Sequence, residues 1–320
     1  MRTIFFSNAY SAEMRQTVYE LAPKGLRLLL SESGTQEETL ERIGEADYFF
    51  AGRNAKVDEE LLQRGGKLKM VQRFGAGLNS IDLNAMKCHQ LPLYVNRGIN
   101  ASGVAELTVL FMLALSRRLL PLDAQMRRGI WNENSFERHS LSAYTVGLIG
   151  YGEIGKRVRE MLHPFGPKVV YWKRSRLQPE EETALMVEYL PLEELLASSN
   201  IVSLHCMLDD GNRFMINSQR LEEMKDGAYL INTARGKLVE ERALIKALQT
   251  GKLGGAALDV FDHEPIELGN PLLTMPNVIL TPHAGGVTKE SFSQILRAAF
   301  YNIEQFDLDN LHSIEHCRII

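Results

Sequence analysis

This 320-residue sequence has few cysteines, only a small excess of acidic over basic residues, and no long apolar run. The three cysteines, Cys88, Cys206 and Cys317, are too few and too scattered for a disulfide framework, which favours a reducing, cytoplasmic location. The longest apolar run, residues 109–115, is much shorter than a bilayer span. The short apolar run after Met1 is expected to form a first strand and not a signal peptide.

Further absences in the sequence argue against several classes of function. The formal net charge is −4, from 36 basic and 40 acidic residues, so the sequence offers no electrostatic basis for binding nucleic acid or an anionic membrane. There is no HExxH and no paired CxxC motif, so no metal site is predicted. Serine and cysteine nucleophile motifs are also absent. A small molecule is therefore the expected partner.

Short apolar runs alternate with amphipathic stretches, which predicts an α/β fold of two doubly wound parallel sheets. A helix predicted from residue 101 to about residue 118 separates two series of strands. The predicted strands are residues 3–6, 26–30, 48–51, 70–73 and 93–95, then residues 145–149, 168–172, 201–205, 228–232, 255–260 and 278–280.

A glycine fingerprint, GYGEIG at residues 150–155, follows the first strand of the second series and opens a helix. Gly150 permits a tight turn, Gly152 lets a pyrophosphate approach the backbone, and Gly155 lets helix and strand pack closely. The helix N-terminus adds unpaired N–H groups and a positive dipole end. Because strand, turn and helix occur in the required order, the motif predicts dinucleotide binding.

The loop after the next strand bears on which dinucleotide is bound. An NAD site calls for an acidic residue there, but the loop reads Lys173-Arg174-Ser175-Arg176. Cations and a hydroxyl suit a 2′-phosphate, so NADP(H) is favoured and NAD(H) remains possible. The alternative is that these residues form a solvated basic loop at the sheet edge.

Arg235, Glu264 and His283 each follow an apolar stretch that reads as a buried strand. The surrounding segments resemble three motifs of the D-isomer-specific 2-hydroxyacid dehydrogenases: YLINTARGKLVE at residues 229–240, GAALDVFDHEP at 255–265 and NVILTPHAGG at 277–286. Two upstream segments are similar to the family's substrate loop and bridging helix, VQRFGAGLNSID at 71–82 and NASGVAE at 100–106. The resemblance covers roughly residues 70 to 290 and implies hydride transfer between a nicotinamide cofactor and a small 2-oxo acid.

The chemistry of the three residues agrees with that implication. Arg235 has a rigid fork of donors that can bind the carboxylate and carbonyl of a 2-oxo acid. His283 is of the residue type best suited to proton transfer near neutral pH, and Glu264 can hold its other ring nitrogen. His205, which also stands at a predicted strand end, is the rival for the acid role. The resemblance instead implies a place for it in the cofactor crevice.

The resemblance implies further contacts and the domain plan. Backbone amides of Ala76 and Gly77 would bind the substrate carboxylate. Residues 1–101 and 288–320 would form a flavodoxin-like, discontinuous substrate domain, residues 102–287 a Rossmann cofactor domain, and two chains a homodimer. The remaining cofactor contacts would come from Thr108, Glu153, Ile154, His205, Cys206, Thr233, Ala234, Asp259 and Gly285.

One segment departs from the family pattern. The family usually has a proline two residues after the histidine that matches His205, whereas this chain has Met207 and then Leu208-Asp209-Asp210-Gly211-Asn212. The departure concerns local cofactor contacts and not the reaction.

Arg73, Phe74 and Leu78 indicate a small pocket with some apolar wall, consistent with glyoxylate, hydroxypyruvate or a slightly larger oxo acid as substrate. Two alternatives stay open: a non-catalytic, dinucleotide-sensing regulatory protein of the same fold, and a formate or phosphite dehydrogenase.

Overall fold

The computed structural model describes residues 1–53, 55–131 and 138–320. Contacts between Cα atoms divide the chain into two compact units, Met1–Asn100 with Val287–Ile320, and Ala101–Gly286. Each of the two points where the chain passes from one unit to the other lies one residue before the point expected from the sequence. Which unit binds substrate and which binds cofactor remains a prediction.

The first unit contains a five-stranded parallel sheet in the order β2-β1-β3-β4-β5, the flavodoxin-like arrangement. Its strands carry almost unbroken apolar runs because a parallel sheet is covered by helices on both faces. The elements are β1 (Arg2–Phe6), α1 (Ala12–Leu21), β2 (Leu26–Leu30), α2 (Gln36–Arg42), β3 (Tyr48–Ala51), α3 (Glu59–Arg64), β4 (Met70–Arg73), α4 (Leu83–Cys88) and β5 (Leu93–Tyr94).

The second unit contains a seven-stranded parallel sheet in the order β12-β11-β10-β9-β6-β7-β8. Numbered within the unit, this is the Rossmann order 3-2-1-4-5-6 with one further strand. The elements are α5 (Ala101–Ser116), α6 (Leu119–Arg127), β6 (Thr145–Ile149), α7 (Glu153–Leu162), β7 (Lys168–Trp172), α8 (Pro179–Leu185), β8 (Glu188–Tyr189), α9 (Leu192–Ser198), β9 (Ile201–Leu204), α10 (Ser218–Glu223), β10 (Ala228–Asn232), α11 (Glu241–Gln249), β11 (Leu253–Leu258) and β12 (Val278–Leu280).

The chain then returns to the first unit as α12 (Lys289–Asp307). Its N-terminus is capped reciprocally by Thr288 and Ser291, each side chain accepting a hydrogen bond from the other's backbone N–H. The buried face of α12 includes Phe292 and Leu296, which join the core around Phe6. The N-terminal sheet is therefore covered partly by the C-terminal helix.

The predicted α/β class with two doubly wound parallel sheets is confirmed. Several predicted boundaries were wrong. β9 ends at Leu204, so His205 is outside it, and β11 runs from Leu253 to Leu258, not from 255 to 260. Strand β5 and helix α5 end one or two residues early, and β8 was missed, because a two-residue edge strand leaves no apolar run.

Candidate active site

A histidine–glutamate pair lies in the second unit, on the loops that follow β11 and β12. The Nδ1 of His283 is 2.8 Å from Oε2 of Glu264. A carboxylate can only accept, so Nδ1 carries the hydrogen and donates it, which leaves Nε2 as the ring atom for proton exchange. The other carboxylate oxygen, Oε1, accepts from the backbone N–H of Phe261 at 3.2 Å. The carboxylate is therefore held at both oxygens, and it orients the ring.

The loop that carries His283 is fixed by Asp259, whose side chain is 2% exposed. One carboxylate oxygen accepts from the hydroxyl of Thr281 at 2.5 Å and from the N–H of Ala284 at 2.8 Å. The other accepts from the N–H of Gly285 at 2.9 Å. His283 itself has a φ of +55°, an uncommon conformation for a non-glycine residue. Asp259 therefore holds the chain in place on both sides of His283, which stabilises this uncommon conformation.

Arg235 follows β10 and immediately precedes a short 3₁₀ turn, Gly236–Leu238. The side chain of Asn232 braces this loop: its Nδ2 donates to the carbonyl of Arg235 at 2.8 Å, and its Oδ1 accepts from the N–H of Ala234 at 3.0 Å. Gly236 passes directly against the Phe261 carbonyl, where a Cβ would overlap it. The loops that carry Arg235 and Glu264 are therefore in backbone contact, and glycine is required at position 236.

His205, the rival for the acid role, is in a different electrostatic environment. Its Nε2 is 2.9 Å from Oγ of Ser203, and its Nδ1 is enclosed with no hydrogen-bond partner among the described residues. Burial lowers its pKa from 6.5 to about 3. A ring that is neutral at physiological pH offers only the weakly acidic N–H of neutral imidazole, so it is a poor general acid. His283 is the better candidate.

The glycine turn after β6 fits a dinucleotide pyrophosphate. Gly150 has a φ of +94°, and a Cβ there would lie 2.5 Å from the backbone nitrogen of Cys206. A Cβ on Gly155 would lie 2.7 Å from the carbonyl oxygen of Gly150, so helix α7 packs closely on the turn. A Cβ on Gly152 would meet nothing within 4 Å, which leaves open space beside the backbone at the start of α7. These are the three roles that the fingerprint assigns to its glycines.

The other predicted cofactor residues are also in the second unit. The hydroxyls of Thr108 on α5 and Thr233 after β10 are 3.0 Å apart and buried. Burial raises the pKa of the Cys206 thiol to about 11, and its Sγ lies 3.8 Å from the Met215 sulfur. Glu153 is exposed on the first turn of α7, Ile154 is partly buried beside it, and Ala234 is buried.

The sequence predicts that the cations of the basic loop, residues 173–176, are available to a phosphate. In the structure, both arginines of the loop are paired with carboxylates. Arg176 donates from Nε and Nη2 to Glu182 on α8, at 2.8 Å each, and its guanidinium lies 5.1 Å from the Tyr189 ring centre. Arg174 pairs with Asp209. Ser175 is exposed and Lys173 is partly buried. Asp209 was not singled out from the sequence as a partner, although its place in the loop that departs from the family pattern was a signal.

In the first unit, Ala76 and Gly77 belong to a glycine loop, residues 74–78, that follows β4. The buried side chain of Arg73 donates from Nε to the Gly77 carbonyl at 3.0 Å and also to the carbonyls of Gly52 and Arg53. The sequence predicts that Arg73 helps to line a substrate pocket, and in the structure its guanidinium also braces two loops at the carboxyl edge of the sheet.

Three absences concern the described residues alone. No group of three or more histidine, cysteine, aspartate or glutamate side chains among them is arranged to hold a metal ion. No helix in that part of the chain has the length and apolar character needed to cross a membrane. Cys88, Cys206 and Cys317 are all free thiols.

The second unit coincides with a match to a known family. Residues 109–285 match the model described as D-isomer specific 2-hydroxyacid dehydrogenase, NAD binding domain. That range contains Arg235, Glu264 and His283 as well as the glycine turn.

Individual relatives cover both units. The chain is 36% identical over 259 residues to a glyoxylate reductase of Thermococcus litoralis, covering 79% of this chain and 78% of that one. It is 35% identical over 263 residues to a hydroxypyruvate reductase of Thermotoga maritima, covering 82% and 85%. A crystal structure of D-lactate dehydrogenase from Aquifex aeolicus, complexed with NAD and lactic acid, aligns with a TM-score of 0.87 and 28% identity over 99% of each chain.

Proposed function

Because this chain belongs to the D-isomer-specific 2-hydroxyacid dehydrogenase family, we propose that it reduces glyoxylate or hydroxypyruvate and prefers NADPH to NADH. The family makes it an oxidoreductase that uses a nicotinamide cofactor on a small 2-oxo or D-2-hydroxy acid. The choice of substrate, the preferred cofactor and the roles of individual residues are the proposal.

The observation that carries the proposal is the 2.8 Å contact between His283 Nδ1 and Glu264 Oε2, on neighbouring loops of the sheet edge that also carries Arg235. In doubly wound folds, ligands bind at the carboxyl ends of the strands. Both side chains are about one-quarter exposed, so they remain accessible from solvent. A buried, fully enclosed pair would instead suggest a purely structural role.

The proposed roles follow from the donors and acceptors. His283 holds a proton at Nε2 and transfers it to the carbonyl oxygen of the 2-oxo acid, while Glu264 stabilises the charged ring. Arg235 binds the carboxylate and the carbonyl oxygen, where negative charge develops during reduction. When bound, the nicotinamide supplies the hydride. The backbone amides of Ala76 and Gly77 are proposed to bind the substrate carboxylate.

The preference for NADPH is supported by the composition of the basic loop after β7. This loop contains no carboxylate to bond a ribose 2′-hydroxyl, and Lys173 and Arg174 can supply donors to a 2′-phosphate. Arg176 contributes less, because Glu182 engages its guanidinium at two nitrogens. NADH remains a possible cofactor.

We also propose that two copies of the chain associate through the second unit. On α6, Leu119, Leu120 and Met126 are each about half exposed. A cavity of about 320 Å³, lined in part by Leu120, Tyr229 and Ile279, opens beside them. An apolar surface of this kind is a common site of association. The three scattered thiols support a cytosolic location.

The test is the initial rate of NADPH oxidation, with NADH in parallel, against glyoxylate, hydroxypyruvate, pyruvate and phenylpyruvate. Formate with each oxidised cofactor covers the alternative dehydrogenase. His283→Ala is expected to lower kcat by about 100-fold or more, since general acid catalysis contributes about 10²–10⁴. His163→Ala, which removes an exposed histidine of the same unit, is the matched control.

The outcomes separate the parts of the proposal. Turnover of an oxo acid that survives in His163→Ala and is lost in His283→Ala supports the reaction and the acid. A Lys173→Asp, Arg174→Ala variant with an unchanged cofactor ratio would contradict the assignment of the basic loop. Tight cofactor binding with no turnover of any acid would favour a dinucleotide sensor.

A further inference from the structure

An ion pair joins two loops at the carboxyl edge of the second sheet. Arg174, after β7, binds Asp209, after β9, with both terminal nitrogens: Nη1 is 2.7 Å from Oδ2, and Nη2 is 2.8 Å from Oδ1. In the sheet, β6 lies between β9 and β7, so the pair spans the end of β6. The glycine turn begins at that end. The pair therefore lies at the switch point of strand order, where dinucleotides bind in doubly wound folds.

The carboxylate of Asp209 is held in place by its own loop. Its Oδ1 accepts from the N–H of Gly211 at 2.9 Å, and its backbone N–H donates to Oδ1 of Asn212 at 2.8 Å. The side chain of Asn212 is buried and donates to the carbonyl of Met207 at 2.7 Å. The hydrogen bond from the Arg174 guanidinium lowers the pKa of Asp209, so the group is an anion at neutral pH.

The two arginines of the basic loop differ in how firmly they are engaged. The partner of Arg176 is Glu182, which is 8% exposed and also accepts from the Tyr171 hydroxyl. The Arg174 and Asp209 side chains are 62% and 45% exposed. Exposed ion pairs contribute little to stability, so one anion can replace another at Arg174 at small cost. Arg174 is the guanidinium that a 2′-phosphate can recruit.

We propose that Asp209 determines cofactor specificity by occupying the donor fork of Arg174 in competition with the 2′-phosphate of NADP(H). The inference rests on the proposed function, since it requires that a nicotinamide dinucleotide binds at the glycine turn. A phosphate needs the same two N–H donors that Asp209 uses, and it meets the negative charge of a fixed carboxylate nearby. A ribose with a 2′-hydroxyl, as in NAD(H), does not need these two donors and carries no charge for the carboxylate to repel. Asp209 therefore restrains a preference for NADPH that the basic loop would otherwise confer.

The test measures binding by titration calorimetry and requires no turnover. Dissociation constants of NADP⁺ and NAD⁺ are compared for the unmodified chain, Asp209→Asn and Asp210→Asn. Asp210→Asn is the matched control, because it removes the same charge from the adjacent exposed residue. Asp209→Asn is expected to tighten NADP⁺ binding about three- to fivefold, the upper end of the scale of one exposed ion pair, and to change NAD⁺ binding less than about twofold. The control is expected to change neither by more than about twofold.

Two further sets of binding measurements test whether the contact between Asp209 and Arg174 is responsible. In an Arg174→Ala background, Asp209→Asn is expected to have no effect on NADP⁺, since the shared donor is gone. Adenosine 2′,5′-bisphosphate and adenosine 5′-monophosphate should reproduce the difference between the two cofactors, because they differ only in the 2′-phosphate. Circular dichroism checks that each variant is folded.

Several results would overturn the inference. An unchanged NADP⁺ to NAD⁺ affinity ratio in Asp209→Asn shows no competition, and equal tightening by Asp210→Asn shows a general charge effect. Weaker binding of NAD⁺ in Asp209→Asn shows that the carboxylate bonds the ribose hydroxyls. Failure of the unmodified chain to bind either dinucleotide is a distinct result, which overturns the proposed function itself.

Discussion

Mild acid is expected to destabilise the second unit through His205. The ring is neutral in the folded chain because burial lowers its pKa to about 3, whereas an unfolded histidine titrates near 6.5. Below pH 6.5 the unfolded chain therefore binds a proton that the folded chain does not. Stability falls as pH falls, and the loss continues until the folded pKa is reached.

The magnitude follows from the two pKa values. Each pH unit between them changes the free energy of unfolding by about 1.4 kcal/mol, so the step from pH 7 to pH 5 costs about 2 kcal/mol. His205→Gln can keep a hydrogen bond to Ser203 and removes the titrating group. Other groups titrate in both proteins, so the difference between the two losses isolates His205.

Urea unfolding followed by tryptophan fluorescence suits this measurement. The chain has two tryptophans, Trp131 and Trp172, and both belong to the second unit, so the signal reports on the unit that contains His205. The unmodified chain should lose about 2 kcal/mol more than His205→Gln between pH 7 and pH 5. Equal losses would refute the assignment of a neutral, partly buried ring at position 205.

Two other predictions concern backbone fit and association. Gly236→Ala should lower the free energy of unfolding by about 1–3 kcal/mol, because its Cβ overlaps the Phe261 carbonyl, and should lower kcat/KM by moving Arg235. Gly269→Ala, where a Cβ meets nothing within 4 Å, is the control, and equal effects in urea unfolding and rate assays would contradict this interpretation. Light scattering should give twice the chain mass for the unmodified protein and a lower mass for Leu120→Lys. Leu268→Lys, at a side chain that is 98% exposed, should remain dimeric, and an unaffected Leu120→Lys would place the interface elsewhere.

Local pattern predicted much of the fold. Strands such as β6 and β10 have the predicted bounds because each is a continuous apolar run between polar turns, the pattern of a strand buried on both faces. The glycine fingerprint could be recognised in the sequence for a similar reason, because its three glycines meet backbone constraints within six consecutive residues. Periodicity could not predict β8, whose two residues lie at a sheet edge.

Side-chain partners were harder to predict because they depend on which strands are neighbours. The sequence predicts that the basic loop supplies phosphate ligands, but it does not predict that Glu182 and Asp209 engage its two arginines. Asp209 is 35 residues from Arg174 in sequence and meets it because β6 alone separates β7 from β9. The sequence places Arg73 near a pocket but does not indicate that it donates to backbone carbonyls of two loops.

The sequence by itself determined the α/β class, and it predicted the dinucleotide turn and the candidate site residues Arg235, Glu264 and His283, because these depend on residue types at short, fixed spacings. Tertiary structure alone decided what each group contacts: Asp259 on the loop of His283, Asp209 on Arg174, and the enclosure of Nδ1 of His205. The physical reason is that hydrogen bonds and desolvation act over a few ångströms. Strand order, which no local pattern specifies, decides which distant residues come that close.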